Sequence, residues 1–147
     1  MNKKELFKRI KIQLAEKRNE LEADLNSLVE ERNNETKSSA GDKFETSRAM
    51  AQQEIDKLSN QIHLTNKQLE VIEALSTDKS KKVEMGSLVQ TNTFSYLISV
   101  AVGKLQMETG IVLAISPASP IGKLLMGKEA GESFAFNGKQ HQILSVQ

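Results

Sequence analysis

Cysteine and tryptophan are both missing from this chain of 147 residues, which contains one tyrosine and five phenylalanines. Without cysteine the chain has no disulfide framework and no thiol nucleophile, which is compatible with a reducing cytoplasm. The first 30 residues contain no apolar run typical of a signal peptide. No segment approaches the roughly 18 apolar residues of a membrane span. We therefore expect a soluble, cytoplasmic protein with no membrane partner.

An excess of one charge sign is also lacking, because 20 basic residues face 19 acidic ones. A general nucleic-acid-binding protein is normally distinctly basic, so this balance argues against that class. Basic residues do cluster between Lys3 and Arg18, which we interpret as a solvated helix face, with a weak phosphate-contact surface as the alternative. Charge of both signs becomes sparse after Lys82, which predicts a boundary near residues 76–83.

Apolar residues recur at helical spacing on both sides of a polar stretch, 33–41. Six lie before it and seven after it, and the second set steps 4-3-4-3-4-3: Leu6, Ile10, Leu14, Leu21, Leu25, Leu28, then Ala51, Ile55, Leu58, Ile62, Thr65, Leu69, Ile72. This period is typical of a coiled-coil seam, and the short connection makes the two helices antiparallel neighbours. The pattern predicts an antiparallel helical hairpin as the first domain, 1–78. It also explains the low hydrophobic content of 38%, because each helix buries one stripe only.

Asp42 and Glu45 lie three residues apart at the turn of this hairpin. Side chains at that spacing project from one face of a helix, so both carboxylates are candidates for binding one hard cation such as Mg²⁺. The same spacing is typical of a capping box, in which Asp42 caps the helix and Glu45 reaches back to the amide of the cap. Two carboxylates alone make a poor magnesium site, because Mg²⁺ usually completes its shell with phosphates and waters. The two roles are not exclusive.

From Val83 onward the pattern changes to short alternating or continuous apolar runs with turn residues between them. These runs predict strands at 88–89, 94–102, 110–115, 134–136 and 143–146, with Asn137-Gly138 as a hairpin turn. Ser119 and Pro120 are typical of a helix start and Gly127 of a helix end, so a short helix is expected to pack Leu124 and Leu125 on the sheet. We predict an α+β protein, with a small antiparallel sheet and one short helix in a second domain, 83–147.

The run SPIGKLLMGKEAGE, residues 119–132, followed by a strand hairpin, resembles the C-terminal domain of the bacterial Gre transcript-cleavage factors. That domain has an FKBP-like fold. The run GDKFET, residues 41–46, is similar to the tip of the Gre coiled coil, where Gly-Asp, two variable residues and Glu-Asn are usual. The order and length of the two parts also agree with this family.

The resemblance implies a role in transcription elongation. The hairpin tip would enter the secondary channel of bacterial RNA polymerase, where Asp42 and Glu45 help to hold a second Mg²⁺ beside the carboxylates of the polymerase. Two metals there activate a water and stabilise the leaving oxygen, so that a backtracked transcript is cut near its 3′ end. The nuclease is the polymerase, so this protein would not be an enzyme by itself. We expect a monomer that holds no Mg²⁺ stably alone, meets nascent RNA indirectly, and contacts the rim of the channel through Ser119, Pro120 and Ile121.

Other readings stay open. After the tip glutamate the family usually has Asn, an acidic residue and Tyr, whereas this chain has TSRA at 46–49. A regulator of the same fold that occupies the channel without promoting cleavage is therefore an alternative. A coiled-coil scaffold or chaperone unrelated to transcription is another. Prolyl isomerisation needs an aromatic-lined pocket, which so few aromatic residues cannot build. His63 and His141 are too far apart in sequence to predict a metal or catalytic pair.

Overall fold

A computed structural model describes the backbone of residues 2–38 and 42–147, and their side chains apart from those of 35–38 and 42–44. Helix α1 spans Lys3–Ser38 and helix α2 spans Asp42–Ala74. At 1.5 Å per residue these helices are about 54 and about 50 Å long. The predicted connection was too long, because 33–38 continue α1. No glycine or proline precedes Gly41 in this stretch to interrupt the helix.

The predicted seam, meaning the thirteen apolar or threonine positions named above, is confirmed. Each of these side chains is buried or half-buried. The hydroxyl of the buried Thr65 donates to the carbonyl of Gln61 at 2.8 Å, so its burial leaves no donor unpaired. Near the other end of α2, Arg32 Nη1 donates to Gln52 Oε1 at 2.8 Å. This contact joins the last part of α1 to the first part of α2, as an antiparallel hairpin requires.

A six-stranded sheet follows the helices, in the order β3-β4-β2-β1-β6-β5. Its strands are β1 (Leu88–Thr91), β2 (Ser95–Ile98), β3 (Gly103–Met107), β4 (Gly110–Ile115), β5 (Ser133–Phe136) and β6 (Lys139–Val146). The sheet is mixed, so the prediction of a wholly antiparallel sheet was wrong at one pair: β2 and β4 run parallel, with Tyr96 opposite Leu113. The predicted strand 94–102 was also too long. It ends at Ile98, and β3 was missed because this edge strand has a single buried residue, Leu105.

Helix α3 spans Pro120–Leu125 and packs on one face of the sheet. Ser119 is its N-cap, and Leu125 is fully buried, while Leu124 is half-buried against the same core, as predicted. The buried residues of this core come from the segment before β1, four strands and the helix: Val83, Val89, Tyr96, Ile98, Leu125, Phe134 and Ile143. Asn137 and Gly138 both have positive φ, 52° and 77°, as expected for the predicted hairpin turn.

The chain forms two compact units. One consists of Met1–Ile10 together with Val71–Gln147, and the other consists of Lys11–Glu70. The first unit therefore combines the sheet with the beginning of α1 and the end of α2. Leu6, Phe7 and Ile10 are buried in it, and the ring of Phe7 lies near Gly86, just before β1. The predicted domain ranges, 1–78 and 83–147, come from the change in sequence pattern. The two units described here are instead defined by compactness in space.

Candidate functional site

The two tip carboxylates lie in the first turn of α2. Asp42 is the first residue of the helix and Glu45 the fourth, and the side chain of Glu45 is exposed. The side chain of Asp42 lies outside the described residues, and so does the predicted reciprocal capping contact with Glu45. Of the two predicted carboxylates, the exposed one of Glu45 is therefore the one that the structure describes. It is a hard oxygen donor that solvent or a partner can approach.

The residues that follow Glu45 make the start of α2 polar and partly cationic. Thr46 and Arg48 are exposed, Ser47 is half-buried, and Met50 is 64% exposed. Arg48 comes three residues after Glu45, which places the two side chains on neighbouring positions of one helical face. A cation at this position reduces the negative potential that the carboxylates create. The family pattern quoted above has acidic character in this region instead.

Among the described residues, no group of three or more His, Cys, Asp or Glu side chains is arranged to hold a metal ion. Glu45 has the ligand chemistry that Mg²⁺ prefers, but one or two carboxylates leave most of an octahedral shell to be filled from elsewhere. The donor set therefore fits a magnesium ion only if another molecule supplies further ligands.

The predicted contact segment, residues 119–121, shows three different environments. The Ser119 hydroxyl donates to the carbonyl of Ser116 at 2.7 Å and accepts from the amide of Gly122 at 3.0 Å, so it is committed to capping α3. Ile121 is half-buried against the sheet core, and Pro120 is exposed at the first position of the helix. Of these three residues, Pro120 is the exposed one, whereas Ser119 caps the helix and Ile121 packs on the core.

Gly122 explains why this segment tolerates little change. A Cβ at this position would overlap the carbonyl oxygen of Ser116 and would lie 2.8 Å from Ser119 Oγ. The loop before α3 therefore folds back closely on the helix, and only glycine leaves room for it.

The two histidines lie on different elements, α2 and β6. His63 is exposed on α2. His141, on β6, stacks on Phe134 with ring centroids 5.2 Å apart, and its Nδ1 lies 3.1 Å from the hydroxyl of Thr93. Its contacts are those of a packing residue in the sheet.

Lys3 is a residue whose environment the sequence did not predict. It is only 7% exposed, and its Nζ donates to the carbonyls of Asp78 at 2.8 Å and Gln147 at 3.3 Å. Burial lowers the pKa of Lys3 below 10.5, while the nearby carboxylates of Glu84 and Asp78 act in the opposite direction. A lysine at the start of a polar helix carries no sequence signal of burial, because both partners are backbone carbonyls from distant segments.

No family model matches the sequence, and no curated protein matches it. None of the described helices is both long and apolar enough to cross a membrane.

Solved structures that are similar include the crystal structure of GreA factor homolog 1 (Gfh1) of Thermus thermophilus, at 16% identity and a TM-score of 0.39, over 93% of this chain and 94% of that one. A structure of the transcription factor Gfh1 is 19% identical, with a TM-score of 0.39, over 92% of each chain. Thermus aquaticus Gfh1 is 20% identical, with a TM-score of 0.36, over 91% of each chain. The chain is thus similar to these three Gfh1 structures over more than nine-tenths of either length.

Proposed function

We propose that this protein is a Gre-type transcription elongation factor that stimulates RNA cleavage by bacterial RNA polymerase. The observation that carries the proposal is an exposed carboxylate, Glu45, in the first turn of α2, at the closed end of a hairpin whose seam side chains are buried or half-buried. The motif resemblance at 41–46 and 119–132 supports the same reading, because both motifs occur in the elements that the family would use.

In this proposal the hairpin supplies reach and stiffness. Helices of 36 and 33 residues, packed along thirteen seam positions, would carry the start of α2 with Glu45 into the channel. Glu45 and Asp42 would add negative charge where a second Mg²⁺ in the polymerase is short of ligands. The ion supplies the activation of water for phosphodiester cleavage. Glu45 and Asp42 would help to hold this ion, whereas the catalytic centre belongs to the polymerase.

The globular unit, which consists of Met1–Ile10 and Val71–Gln147, would provide docking at the rim of the secondary channel. Pro120 is the exposed member of the proposed contact, while Ser119 and Ile121 fix the helix start on which it lies. This arrangement separates affinity from activity, because the docking residues and the tip carboxylates lie on different elements.

A second function has a specific observation in its favour. The exposed Arg48, next to Glu45 on the helical face, opposes accumulation of negative charge at the tip. A factor with such a tip would still fill the channel and compete with other factors there. On this alternative the protein regulates initiation or pausing and promotes no cleavage.

The test is a stalled, backtracked elongation complex with a 3′-extended, 5′-labelled transcript. Addition of the full chain with Mg²⁺ should produce shortened, 5′-labelled RNA faster than the polymerase does alone. Binding without shortening would move the non-cleaving regulator to first place. Failure to co-purify with core polymerase would exclude both and favour a scaffold or chaperone outside transcription.

A further inference from the structure

A basic cavity lies on the globular unit. Its volume is about 510 Å³, within the range of ligand pockets. Its lining comes from the start of α1, the segment after α2 and the end of the sheet: Asn2, Lys3, Lys4, Thr77, Lys79 and Gln147. Three of the six lining side chains are lysines, and the carboxylates of Asp78 and Glu84 lie near one of them, Lys3. Lys4 and Lys79 therefore carry most of the attraction for an anion.

A second cavity of about 400 Å³ shares Lys79 with the first. The second one adds Lys81 to the basic lining and contains one acidic side chain, Glu129. Lysines therefore extend from one cavity into the next around Lys79. This arrangement fits an extended chain of negative charges better than a single small anion.

The lysines of the first cavity divide into one fixed charge and two accessible ones. Lys3 is buried and held by the carbonyls of Asp78 and Gln147. Lys4 and Lys79 are exposed, and among the residues that the structure describes neither forms an ion pair. Their ammonium groups are thus available to a ligand from solution. The buried Lys3 adds positive electrostatic potential to the same cavity.

The start of α1 does not itself supply the donors. The side chain of Asn2 accepts from the amide of Lys4 at 2.9 Å, and the carbonyl of Asn2 accepts from the amide of Leu6 at 3.2 Å. Because the Lys4 amide is engaged in this way, we assign recognition to the lysine side chains. The Thr77 hydroxyl is a neutral donor in the same lining.

We propose that the two cavities that share Lys79 form a binding site for a phosphate chain, either a free polyphosphate or the phosphodiester backbone of a nucleic acid. Lysine ammonium groups bind phosphate oxygens as mobile point charges, which suits a ligand without fixed planar geometry. The site is independent of the proposed tip chemistry, because it uses none of the tip residues and is tested without polymerase.

The experiment is an NMR titration of the ¹⁵N-labelled full chain with sodium tripolyphosphate in one arm and single-stranded octauridylate RNA in the other. The first amides to shift should be those of Asn2, Lys4, Thr77 and Lys79. The double variant Lys4→Ala/Lys79→Ala should bind the active probe about tenfold more weakly, and the affinity of the native chain should fall as salt is raised.

The matched control is Lys104→Ala/Lys139→Ala, which removes two exposed lysines from β3 and β6. It should change the affinity less than about twofold. A response to tripolyphosphate alone identifies a free polyphosphate as the ligand, and a response to RNA identifies the backbone. Absence of shifts in both arms at millimolar probe overturns the proposal, and so does equal weakening by the two double variants.

Discussion

Lys3 Nζ donates a 2.8 Å hydrogen bond to the backbone carbonyl of Asp78, which lies 75 positions later in the chain. The bond joins the first residue of α1 to the segment that follows α2. Since the same ammonium also reaches the carbonyl of Gln147, one buried side chain connects three parts of the globular unit. The beginning of the hairpin is therefore a structural component of that unit.

Lys3→Met keeps the aliphatic stem and leaves both carbonyls without this donor. We expect the free energy of unfolding to fall by about 1 kcal/mol at neutral pH, because the loss of two hydrogen bonds outweighs the relief from desolvation of the ammonium. Chemical denaturation measures the change, with the exposed Lys4→Met as control. An equal effect of the two substitutions would contradict a structural role for Lys3.

The same variant tests the lowered pKa of Lys3. Between that pKa and 10.5 the unfolded chain holds more protons on this residue than the folded chain does. The contribution of Lys3 to stability therefore rises with pH through this window and is lost as pH falls through the folded pKa. We expect the difference in unfolding free energy between the native chain and Lys3→Met to grow from pH 8 to pH 10.5. A constant difference would argue against the shift.

Tyr96 is the only tyrosine of the chain, so its ionisation can be followed directly by tyrosinate absorbance. It is 2% exposed, and burial raises its pKa above 10.0 although a hydrogen bond with Thr93 acts in the opposite direction. The absorbance change should come at higher pH in the folded chain than in denaturant. Because the unfolded state ionises first, stability should fall as pH rises from 10.0 through the folded pKa. Tyr96→Phe should remove this part of the decline.

The helices and α3 were predictable because each has a local signal. The seam repeats over many turns, and Ser119, Pro120 and Gly127 mark the ends of a short helix within a few residues. Strand β3 was not predictable, since an edge strand with one buried leucine shows no apolar alternation. The parallel pairing of β2 with β4 was missed for the same reason. Strand β3 reverses the chain direction after β2, so that β4 can run parallel to β2 between β2 and β3. For the site, the position of Glu45 followed from the pattern, whereas the burial of Lys3 depends on backbone carbonyls that no motif encodes.

Asp42→Asn/Glu45→Gln separates capping from activity. Asn is as good an N-cap as Asp, and Gln replaces Glu in a capping box, so stability should change by less than about 1 kcal/mol. Neutral amides are weaker ligands for a hard cation, so stimulation of transcript cleavage should be lost while polymerase binding is kept. The control is Asp24→Asn/Glu70→Gln, which makes the same charge change at exposed positions along the hairpin. Native cleavage rates in the tip variant would reduce both residues to helix caps.

Pro120→Ala tests docking at the globular unit. The exposed side chain has no cap function of its own, so the free energy of unfolding should change by less than about 1 kcal/mol. Affinity for core polymerase, measured by competition with the labelled native chain, should fall at least about fivefold. Gln140→Ala, an exposed change on β6, serves as control. Unchanged affinity of Pro120→Ala would remove residues 119–121 from the proposed contact.

Removing residues 19–25 from α1 and 58–64 from α2 deletes one heptad from each helix and keeps the remaining seam in register. Each helix becomes about 10 Å shorter. Polymerase binding should survive and cleavage stimulation should vanish, provided that circular dichroism shows a folded hairpin. Cleavage by this shortened protein would mean that the tip need not reach the active centre.

The composition of the globular unit also determines when it can form during synthesis. Leu6, Phe7 and Ile10 leave the ribosome more than 60 positions ahead of Val71–Gln147, with which they share a compact unit. Strand β6 lies between β1 and β5, with Ser145 bonded to Gln90 across 55 positions, so the sheet stays incomplete until the last strand emerges. Contacts of such long sequence separation carry a high loop-closure cost and form slowly. The nascent chain should therefore expose the apolar start of α1 until the sheet is complete.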